Sequence, residues 1–315
     1  MKKNKLYKIN TSKLWNSYNY VKKYNDFKYS EQGDAQHLNT RRDRVLDYLK
    51  NSNTSKKITI LELGYGAGQN AKYFIPKCEK YIGVDISAPL AKFARNKNKK
   101  AVQNGKAKFL VGSMDKKLKI RSKSIDVVII IGALQYVIDT NYCLNQCKRV
   151  LKDDGGLIIA QTNTFQINEM IHPRKFFINF VKFLIGEHHQ YSHSDTIRSL
   201  LLETKLKRYF QKFKNSWWLN GWPFASGWTD VWKFETHRRL LSYGRLKTIL
   251  KNNNFLIKKS SGYVFFYNNR NIFTKLMLPI LNIILVFLNK IFIFSFFLKY
   301  IAGCSIFLCK KKDDF

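Results

Sequence analysis

The sequence predicts an α/β protein with a doubly wound, mostly parallel sheet, and three observations lead to this fold class. From Ile58 to Gln161, short apolar runs typical of strands alternate with segments of helical periodicity. The run "IDVVIII" at 125–131 is apolar on both faces, as expected for a strand that helices cover on both sides. The stretch "LELGYGAGQN" at 61–70 places three glycines between a strand and a helix, where doubly wound folds bind ligands.

The predicted core, residues 56–161, carries five strands. Each strand coincides with an apolar run: Ile58–Leu63, Tyr81–Ile86, Lys108–Val111, Ile125–Ile131 and Leu157–Gln161. Residues 1–55 are predicted to form a helical cover. Within this cover Leu38, Val45, Leu46 and Leu49 recur at helical spacing, which suits a helix over an edge of the sheet.

Beyond the core, the alternation stops and later resumes. Residues 162–235 are predicted to form a helical cap insertion beside the ligand site, and they hold four of the six histidines, among them His188, His189 and His193, and five of the six tryptophans. The core continues at 236–271, with the helical "RLLSYGRLKTILKNN" and the strand-like "FLIKKSSGYVFF", and at 300–312. Residues 272–299 are almost wholly apolar.

The chain is strongly basic, with 56 Lys and Arg against 21 Asp and Glu. The resulting net charge of +35 favours polyanionic neighbours such as nucleic acid or an anionic membrane surface, although an AT-rich coding sequence would produce the same lysine excess. The start "MKKNKLYKIN" lacks the apolar stretch of a secretory signal, so a cytoplasmic location is expected. Five cysteines without CxxC spacing predict reduced, buried thiols and no metal site.

The glycine turn indicates a ribose-containing ligand rather than a dinucleotide. The dinucleotide pattern GxGxxG requires glycine at 69, where this chain has Gln69. Glu62 precedes the glycines and suits a cationic group better than a pyrophosphate. After the next strand, Asp85 can accept hydrogen bonds from two vicinal ribose hydroxyls.

These segments resemble the class I S-adenosylmethionine-dependent methyltransferases. "LELGYGAG" is similar to the first motif of that family, and four further motifs follow in the same order: "YIGVDIS", "FLVGSMD", "SIDVVIIIGALQYV" and "CKRVLKDDGGLIIA". The last of these would be a helix, a turn and the fifth strand. "AGCSIFLCKKK" resembles the final, antiparallel strand of the family, which inserts between two earlier strands. The resemblance implies a seven-stranded Rossmann-like sheet and S-adenosylmethionine as cofactor.

The resemblance also assigns cofactor-binding roles to individual residues. Glu62 would lie near the methionine moiety, and Gly64, Gly66 and Gly68 would let the cofactor approach the backbone. Asp85 would hold the ribose, Ile86 would pack on the adenine, and the Met114 amide would support the edge of the ring. Ile130 or Ile131 would offer a carbonyl to the amino group of the cofactor. Relatives often carry Asp where Ser113 stands, so either Ser113 or Asp115 would meet the adenine amine.

The sequence indicates less about the methyl acceptor, because methyl transfer from a sulfonium needs mainly alignment and exclusion of water rather than particular catalytic residues. The Asn-Pro-Pro-Tyr type of sequence of amine methyltransferases is absent, and so is a Pro-Cys nucleophile. Two residues are candidates for catalysis, each with a plainer alternative. Tyr136 follows the fourth strand, where it either meets the acceptor or only packs. His237 precedes the last helix, where relatives acting on quinones, sugars or lipids often carry a polar residue.

The apolar residues 272–299 predict a pair of helices associated with a membrane. A single span is disfavoured because the final strand must return to the sheet from the same side. Two helices meeting near Asn289 and Lys290 would instead lie in the interface, held by lysines and by the basic surface. The alternative is a buried core helix.

The leading hypothesis is therefore a methyltransferase acting at a membrane surface on oxygen or carbon of a lipid, a lipid-linked sugar or a prenylated small molecule. One alternative is an RNA methyltransferase that uses the basic surface. Another is a catalytically silent, methyltransferase-like partner subunit, which the intact Glu62, glycine and Asp85 set disfavours.

Overall fold

The computed structural model describes residues 12, 15–16, 35–52, 58–163, 241–263, 280, 283–284, 287, 298–299 and 302–312. In this part of the chain, seven strands form one sheet in the order β3-β2-β1-β4-β5-β7-β6. Strands β1 to β5 pair in parallel, which confirms the doubly wound, mostly parallel prediction. The predicted cap, nearly all of 162–235, lies outside the described residues.

The elements follow the predicted alternation of strands and helices. The strands are β1 (Thr59–Leu63), β2 (Lys80–Asp85), β3 (Ala107–Val111), β4 (Ile125–Ile131), β5 (Leu151–Thr162), β6 (Phe255–Tyr263) and β7 (Cys304–Lys311). The helices are α1 (Ala35–Ser52), α2 (Ala71–Phe74), α3 (Ala88–Lys97), α4 (Lys99–Gln103), α5 (Thr140–Val150) and α6 (Tyr243–Asn252). Two 3₁₀ turns lie at Ile75–Lys77 and Leu134–Tyr136.

The final strand behaves as the sequence predicts. β7 runs antiparallel between β5 and β6, with Cys304 opposite both Thr162 and Tyr263. The sequence predicted a turn between α5 and β5, but the structure has a strand there. β5 already begins at Leu151 and continues through "DDGG". A register shift between Ile125 and Val127 absorbs the extra residues, so the segment is a bulged strand rather than a turn.

Apolar side chains fill both faces of the sheet. Ile129 and Ile130, neighbours on β4, belong to opposite clusters and are both fully buried, which confirms that the sheet is covered on both sides. Val45 and Leu49 of α1 are buried, as their spacing predicts. The prediction that this helix covers an edge is wrong, because α1 packs on a face, against the interior strands β5 and β7.

All five cysteines are free and buried, as the sequence predicts. Four described residues of the apolar segment, Ile280, Ile283, Ile284 and Phe287, are helical and exposed. Leu298 is buried near the start of β7. Within the described part of the chain, no helix combines the length and apolar composition needed to cross a bilayer. Most of the predicted hairpin, 272–299, lies outside the described residues.

Candidate active site

The turn after β1 carries three glycines with positive φ, and each serves a different purpose. A Cβ on Gly64 would lie 2.2 Å from the Cβ of Ala133, so this glycine lets the β1 turn contact the turn after β4. A Cβ on Gly68 would lie 2.8 Å from Ala94, so that glycine lets α3 pack closely. At Gly66, with φ of +60°, a Cβ would meet no described atom within 4 Å. The bare backbone at Gly66 therefore faces open space at the carboxyl edge of the sheet, called the crevice below, rather than the packed core.

Asp85 ends β2 beside this turn and ties two loops together. Its Oδ2 accepts a hydrogen bond from the Gly66 amide at 2.9 Å, and its Oδ1 accepts one from the Ser87 amide at 2.9 Å. Burial raises the pKa of Asp85 to about 6, and the backbone amides partly counter this rise. Each carboxylate oxygen retains a further lone pair, so the group can still accept hydrogen bonds from vicinal hydroxyls.

Glu62 lies beneath the turn and is 1% exposed. Its Oε2 accepts a hydrogen bond from the Tyr81 hydroxyl at 2.5 Å, while its Oε1 accepts none from a described residue. The Asn70 side chain also stabilises the carboxylate, but not with hydrogen-bond geometry at Oε1. Burial dominates and raises the pKa of Glu62 to about 7. A half-satisfied buried carboxylate is costly unless a donor or cation reaches it.

The predicted adenine-side residues gather at the ends of β2 and β3. Ile86, Ser113, Met114 and Asp115 are all half-buried, and a Cβ on Gly64 would lie 3.8 Å from Met114 Cε. Ser113 Oγ accepts a hydrogen bond from the Asp115 amide at 3.1 Å. Asp115 Oδ1 accepts from the amides of Ile138 and Asp139 at 2.9 and 3.0 Å, so this oxygen orients the segment before α5. The assignment of the adenine contact to Ser113 or Asp115 stays a prediction.

The end of β4 brings the catalytic candidate Tyr136 to the same edge. Ile130 is buried and Ile131 is half-buried, and the Gly132 amide donates to Ala160 of β5 at 2.7 Å. Tyr136, half-buried on the 3₁₀ turn, packs edge-on against Trp15 with ring centroids 5.6 Å apart. His237, the other catalytic candidate, lies outside the described residues, as do His188, His189 and His193.

Sequence reasoning missed several residues of this region. Tyr81 became the partner of Glu62 through strand register, and the Tyr65 ring packs where a Cβ on Gly83 would stand, at 2.5 Å. Arg41 of α1 is 5% exposed and donates from Nη2 to Thr162 Oγ1 at 3.0 Å, while its Nη1 would lie 2.6 Å from a Cβ on Gly132. None of these contacts leaves a local pattern in the sequence.

Comparison with known proteins agrees with this geometry. Residues 61–159, which include the glycine turn, Asp85 and β4, match a family model described as a methyltransferase domain. These residues form a class I S-adenosylmethionine-dependent methyltransferase domain. The methyltransferase domain therefore accounts for the first five strands, and S-adenosylmethionine is the cofactor of its class.

Three relatives in sequence each match little more than a third of this chain. An uncharacterised protein of Methanocaldococcus jannaschii is 34% identical over 36% of this chain and 40% of its own length. The thiol S-methyltransferase TMT1B of Rattus norvegicus is 31% identical over 33% and 42%. A demethylmenaquinone methyltransferase of Tropheryma whipplei is 28% identical over 39% and 46%. The chain thus spans less than half the length of each of these relatives.

Similar structures extend the likeness in fold over most of the chain. A chain of the Haloferax volcanii complex between the Trm112 activator and a methyltransferase aligns with a TM-score of 0.53, covering 90% of this chain and 94% of that one at 13% identity. Phosphoethanolamine N-methyltransferase 2 of Haemonchus contortus, bound to S-adenosylhomocysteine, aligns with a TM-score of 0.51 over 94% and 58% at 15% identity. At these identities the likeness shows the fold alone.

Proposed function

We propose that this protein transfers a methyl group from S-adenosylmethionine to an acceptor bound over the carboxyl ends of β1, β2 and β4. The observation that carries the proposal is the arrangement around Gly66. A positive-φ glycine faces the crevice, and its amide is bonded to the buried carboxylate of Asp85. Glu62, whose Oε1 accepts no hydrogen bond from a described residue, lies buried under the same turn.

The described residues fit this cofactor in charge and in shape. S-adenosylmethionine supplies a methyl group on a positively charged sulfonium. Glu62 provides buried negative charge for the cationic methionine end, directly or through water, and Asp85 provides acceptors for the ribose. Gly66 lets the ligand approach the backbone without a side chain between them. Holding donor and acceptor in line contributes roughly 7 to 11 kcal/mol of the barrier reduction in reactions of this kind.

For the acceptor, we infer a lipophilic molecule that is methylated at a membrane surface. Ile280, Ile283, Ile284 and Phe287 are helical and 47 to 68% exposed. Their spacing of i, i+3, i+4 and i+7 puts them on one face of a helix, as in helices that lie in a membrane interface. The net charge of +35 complements anionic lipid. One relative in sequence is named for demethylmenaquinone, which agrees with a prenylated acceptor.

Cofactor binding is tested by Gly66→Ala against a matched control, Gly105→Ala. Both glycines have positive φ, +60° and +70°, and a Cβ on either meets no described atom within 4 Å. Both variants should therefore lose similar stability, about 1 kcal/mol from the left-handed backbone. Only Gly66→Ala should weaken the binding of S-adenosylmethionine, raising its Kd at least roughly tenfold as measured by calorimetry. Equal affinity in the two variants would refute the cofactor site.

The membrane proposal is tested by flotation with vesicles containing phosphatidylglycerol. Replacing the four exposed residues Ile280, Ile283, Ile284 and Phe287 by Ser should lower partitioning at least about a hundredfold, because each buried side chain contributes about 1 to 2 kcal/mol. The control is the double change Val111→Ser and Leu256→Ser, which removes exposed apolar residues from β3 and β6. The control should float like the wild type. Retained flotation of the fourfold variant, or methylation of RNA in place of the lipid fraction, would refute the lipophilic acceptor.

A further inference from the structure

Tyr81 of β2 binds the buried carboxylate of Glu62 from the amino-terminal side of the sheet. In the register of β1 and β2, Ile60 lies opposite Tyr81 and Glu62 lies opposite Gly83. Side chains two residues apart on a strand share a face, so Tyr81 stands one pleat nearer the amino ends of the strands than Glu62. Its hydroxyl donates to Oε2 at 2.5 Å from the side away from the glycine turn. Oε1, which accepts no hydrogen bond from a described residue, is the oxygen left for the turn and its ligand.

Aromatic packing fixes the Tyr81 hydroxyl in this place. The Tyr81 ring is fully buried and lies against Phe109 of β3, with the ring centroids 5.5 Å apart. Phe109 also packs edge-on against Tyr65 with a centroid distance of 5.2 Å, and the Tyr65 ring covers Gly83. The hydroxyl therefore cannot turn away from Glu62 without disturbing this packed cluster.

The Tyr81 hydroxyl favours the ionised form of Glu62. Burial raises the pKa of Glu62, and the hydrogen bond from Tyr81 is the strongest influence that counters this rise, followed by Asn70. Burial also raises the pKa of Tyr81 well above its ordinary value, so the hydroxyl keeps its proton at neutral pH and remains a donor. Among the described residues, Asp85 and Tyr65 are the other titratable groups that face Glu62, and neither carries a positive charge. A cationic ligand at Oε1 would favour the ionised form further.

We propose that Tyr81 is a positioning residue for the cofactor, which holds Oε2 of Glu62 so that the ionised carboxylate presents Oε1 to the cationic end of S-adenosylmethionine. This inference rests on the proposed function. Because Tyr81 lies on the far side of Glu62 from the glycine turn, it acts through that carboxylate. Binding of the cofactor then releases to solvent any proton that Glu62 holds in the free protein, and the Tyr81 hydrogen bond lowers the pH needed for this release.

The test is the pH dependence of S-adenosylhomocysteine binding to the full-length protein, measured by calorimetry between pH 6 and 8. This product keeps the amino-acid end of the cofactor. Tyr81→Phe keeps the ring and removes the hydrogen bond, so the pH at which affinity is lost should rise by about one unit. Relative to the wild type, binding should weaken roughly tenfold at pH 6 but only about twofold at pH 8. Asp85 is unchanged in this variant, so its contribution cancels in the ratio.

The matched control is Tyr243→Phe. Tyr243 is also buried, and its hydroxyl bonds to Ser260 Oγ at 2.6 Å in the half of the sheet with β7. The control loses a buried tyrosine hydroxyl as Tyr81→Phe does, but far from the glycine turn. It should bind S-adenosylhomocysteine like the wild type at every pH.

A second comparison shows whether Tyr81 acts through Glu62. In a Glu62→Gln background, where this side chain cannot ionise, adding Tyr81→Phe should leave the pH profile unchanged. If Tyr81→Phe does not fold, fluorotyrosine placed at position 81 keeps both the ring and the hydroxyl and makes the hydroxyl a stronger donor. The pH at which affinity is lost should then fall instead of rising.

The outcomes separate this inference from the proposed function. A wild-type protein that binds neither S-adenosylmethionine nor S-adenosylhomocysteine at any of these pH values refutes the function. Wild-type binding with the same pH profile in Tyr81→Phe, or with no shift in the fluorotyrosine protein, refutes the positioning role alone. Equal weakening at every pH would show that Tyr81 only packs, which also overturns the inference. So would a pH-dependent effect of Tyr81→Phe that persists in the Glu62→Gln background.

Discussion

One edge of the sheet, at the carboxyl ends of the parallel strands, is packed differently in the two halves of the sheet. At the carboxyl ends of β1 and β2, Gly66 faces the crevice, and the buried carboxylates Glu62 and Asp85 have raised pKa values. At the corresponding edge of β5, β7 and β6, protein atoms fill the space. Asn163 donates to the Ala302 carbonyl at 2.8 Å, and a Cβ on Gly262 would lie 2.6 Å from the Cβ of Ala302.

The difference shows how one fold combines a binding edge with a supporting edge. The half with the glycine turn buries two carboxylates, Glu62 and Asp85, whose raised pKa values show that ionising them there is costly, an environment that suits a cationic ligand. In the half with β7, Gly262 and Ala302 are small because the chain that leads into β7 passes close to β6 there. Glycine therefore has opposite roles in the two halves. At Gly66 the missing side chain leaves open space, whereas at Gly262 glycine is required because a side chain would clash with its neighbours.

The largest effect on this comparison is expected from Gly262→Ala. The new methyl group would lie 2.8 Å from the backbone Cα of Lys299, which cannot move as a side chain can. Overpacking of this kind costs about 1 to 3 kcal/mol of unfolding free energy. Affinity for S-adenosylmethionine should stay unchanged, because the cofactor is proposed to bind in the other half. Urea unfolding and calorimetry measure the two quantities.

Gly156→Ala is the matched control for Gly262→Ala. Gly156 lies on β5, and a Cβ there would meet only the Cys309 carbonyl oxygen at an ordinary 3.7 Å. The control should unfold at nearly the wild-type urea concentration. If Gly262→Ala were as stable as Gly156→Ala, the β7 half would not be closely packed at this edge. If Gly262→Ala weakened cofactor binding instead, the two halves would not be separate in function.

An effect of similar size is expected from pH in the half with the glycine turn. Burial raises the pKa of Glu62 from 4.5 to about 7, so the folded protein binds this proton more tightly than the unfolded chain. The resulting stability is complete below pH 4.5 and is lost as pH rises through about 7. Unfolding free energy without cofactor should therefore fall across this range, by on the order of 2 to 3 kcal/mol. Asp85, with a pKa raised to about 6, adds in the same direction.

Glu62→Gln should reduce that slope to the part that Asp85 contributes, and Glu79→Gln should retain the full slope, because Glu79 is an exposed residue just before β2. Saturating S-adenosylmethionine should flatten the wild-type slope, since a cation favours the ionised carboxylate. Urea titrations from pH 4.5 to 8 measure all three. A slope unchanged in Glu62→Gln would show that the Glu62 carboxylate is not the titrating group.

The sequence predicted those parts of the fold that rest on local periodicity. β4 begins and ends at the predicted residues, and β7 inserts where the resemblance placed it. Contacts between distant residues were not predictable, because they leave no repeat in the chain. Trp15 bonds to a residue 72 positions away, and α1 packs on a face rather than an edge. Glu62 and Asp85 were recognised from their motifs, but Tyr81 meets Glu62 only through the register of β1 and β2.

The position of β7 has a consequence for synthesis on the ribosome. β6 is translated about 40 residues before β7, yet in the finished sheet its neighbour is β7 and not β5. A nascent chain that has emerged only through β6 thus carries a strand with no place to dock, beside a β5 with a bare edge. Once residues 304–311 emerge, β7 can pair with both β5 and β6, so β6 and β7 join the sheet together. A premature stop codon after β6 and before residue 304 would therefore remove two strands from the sheet, although only one is missing from the polypeptide.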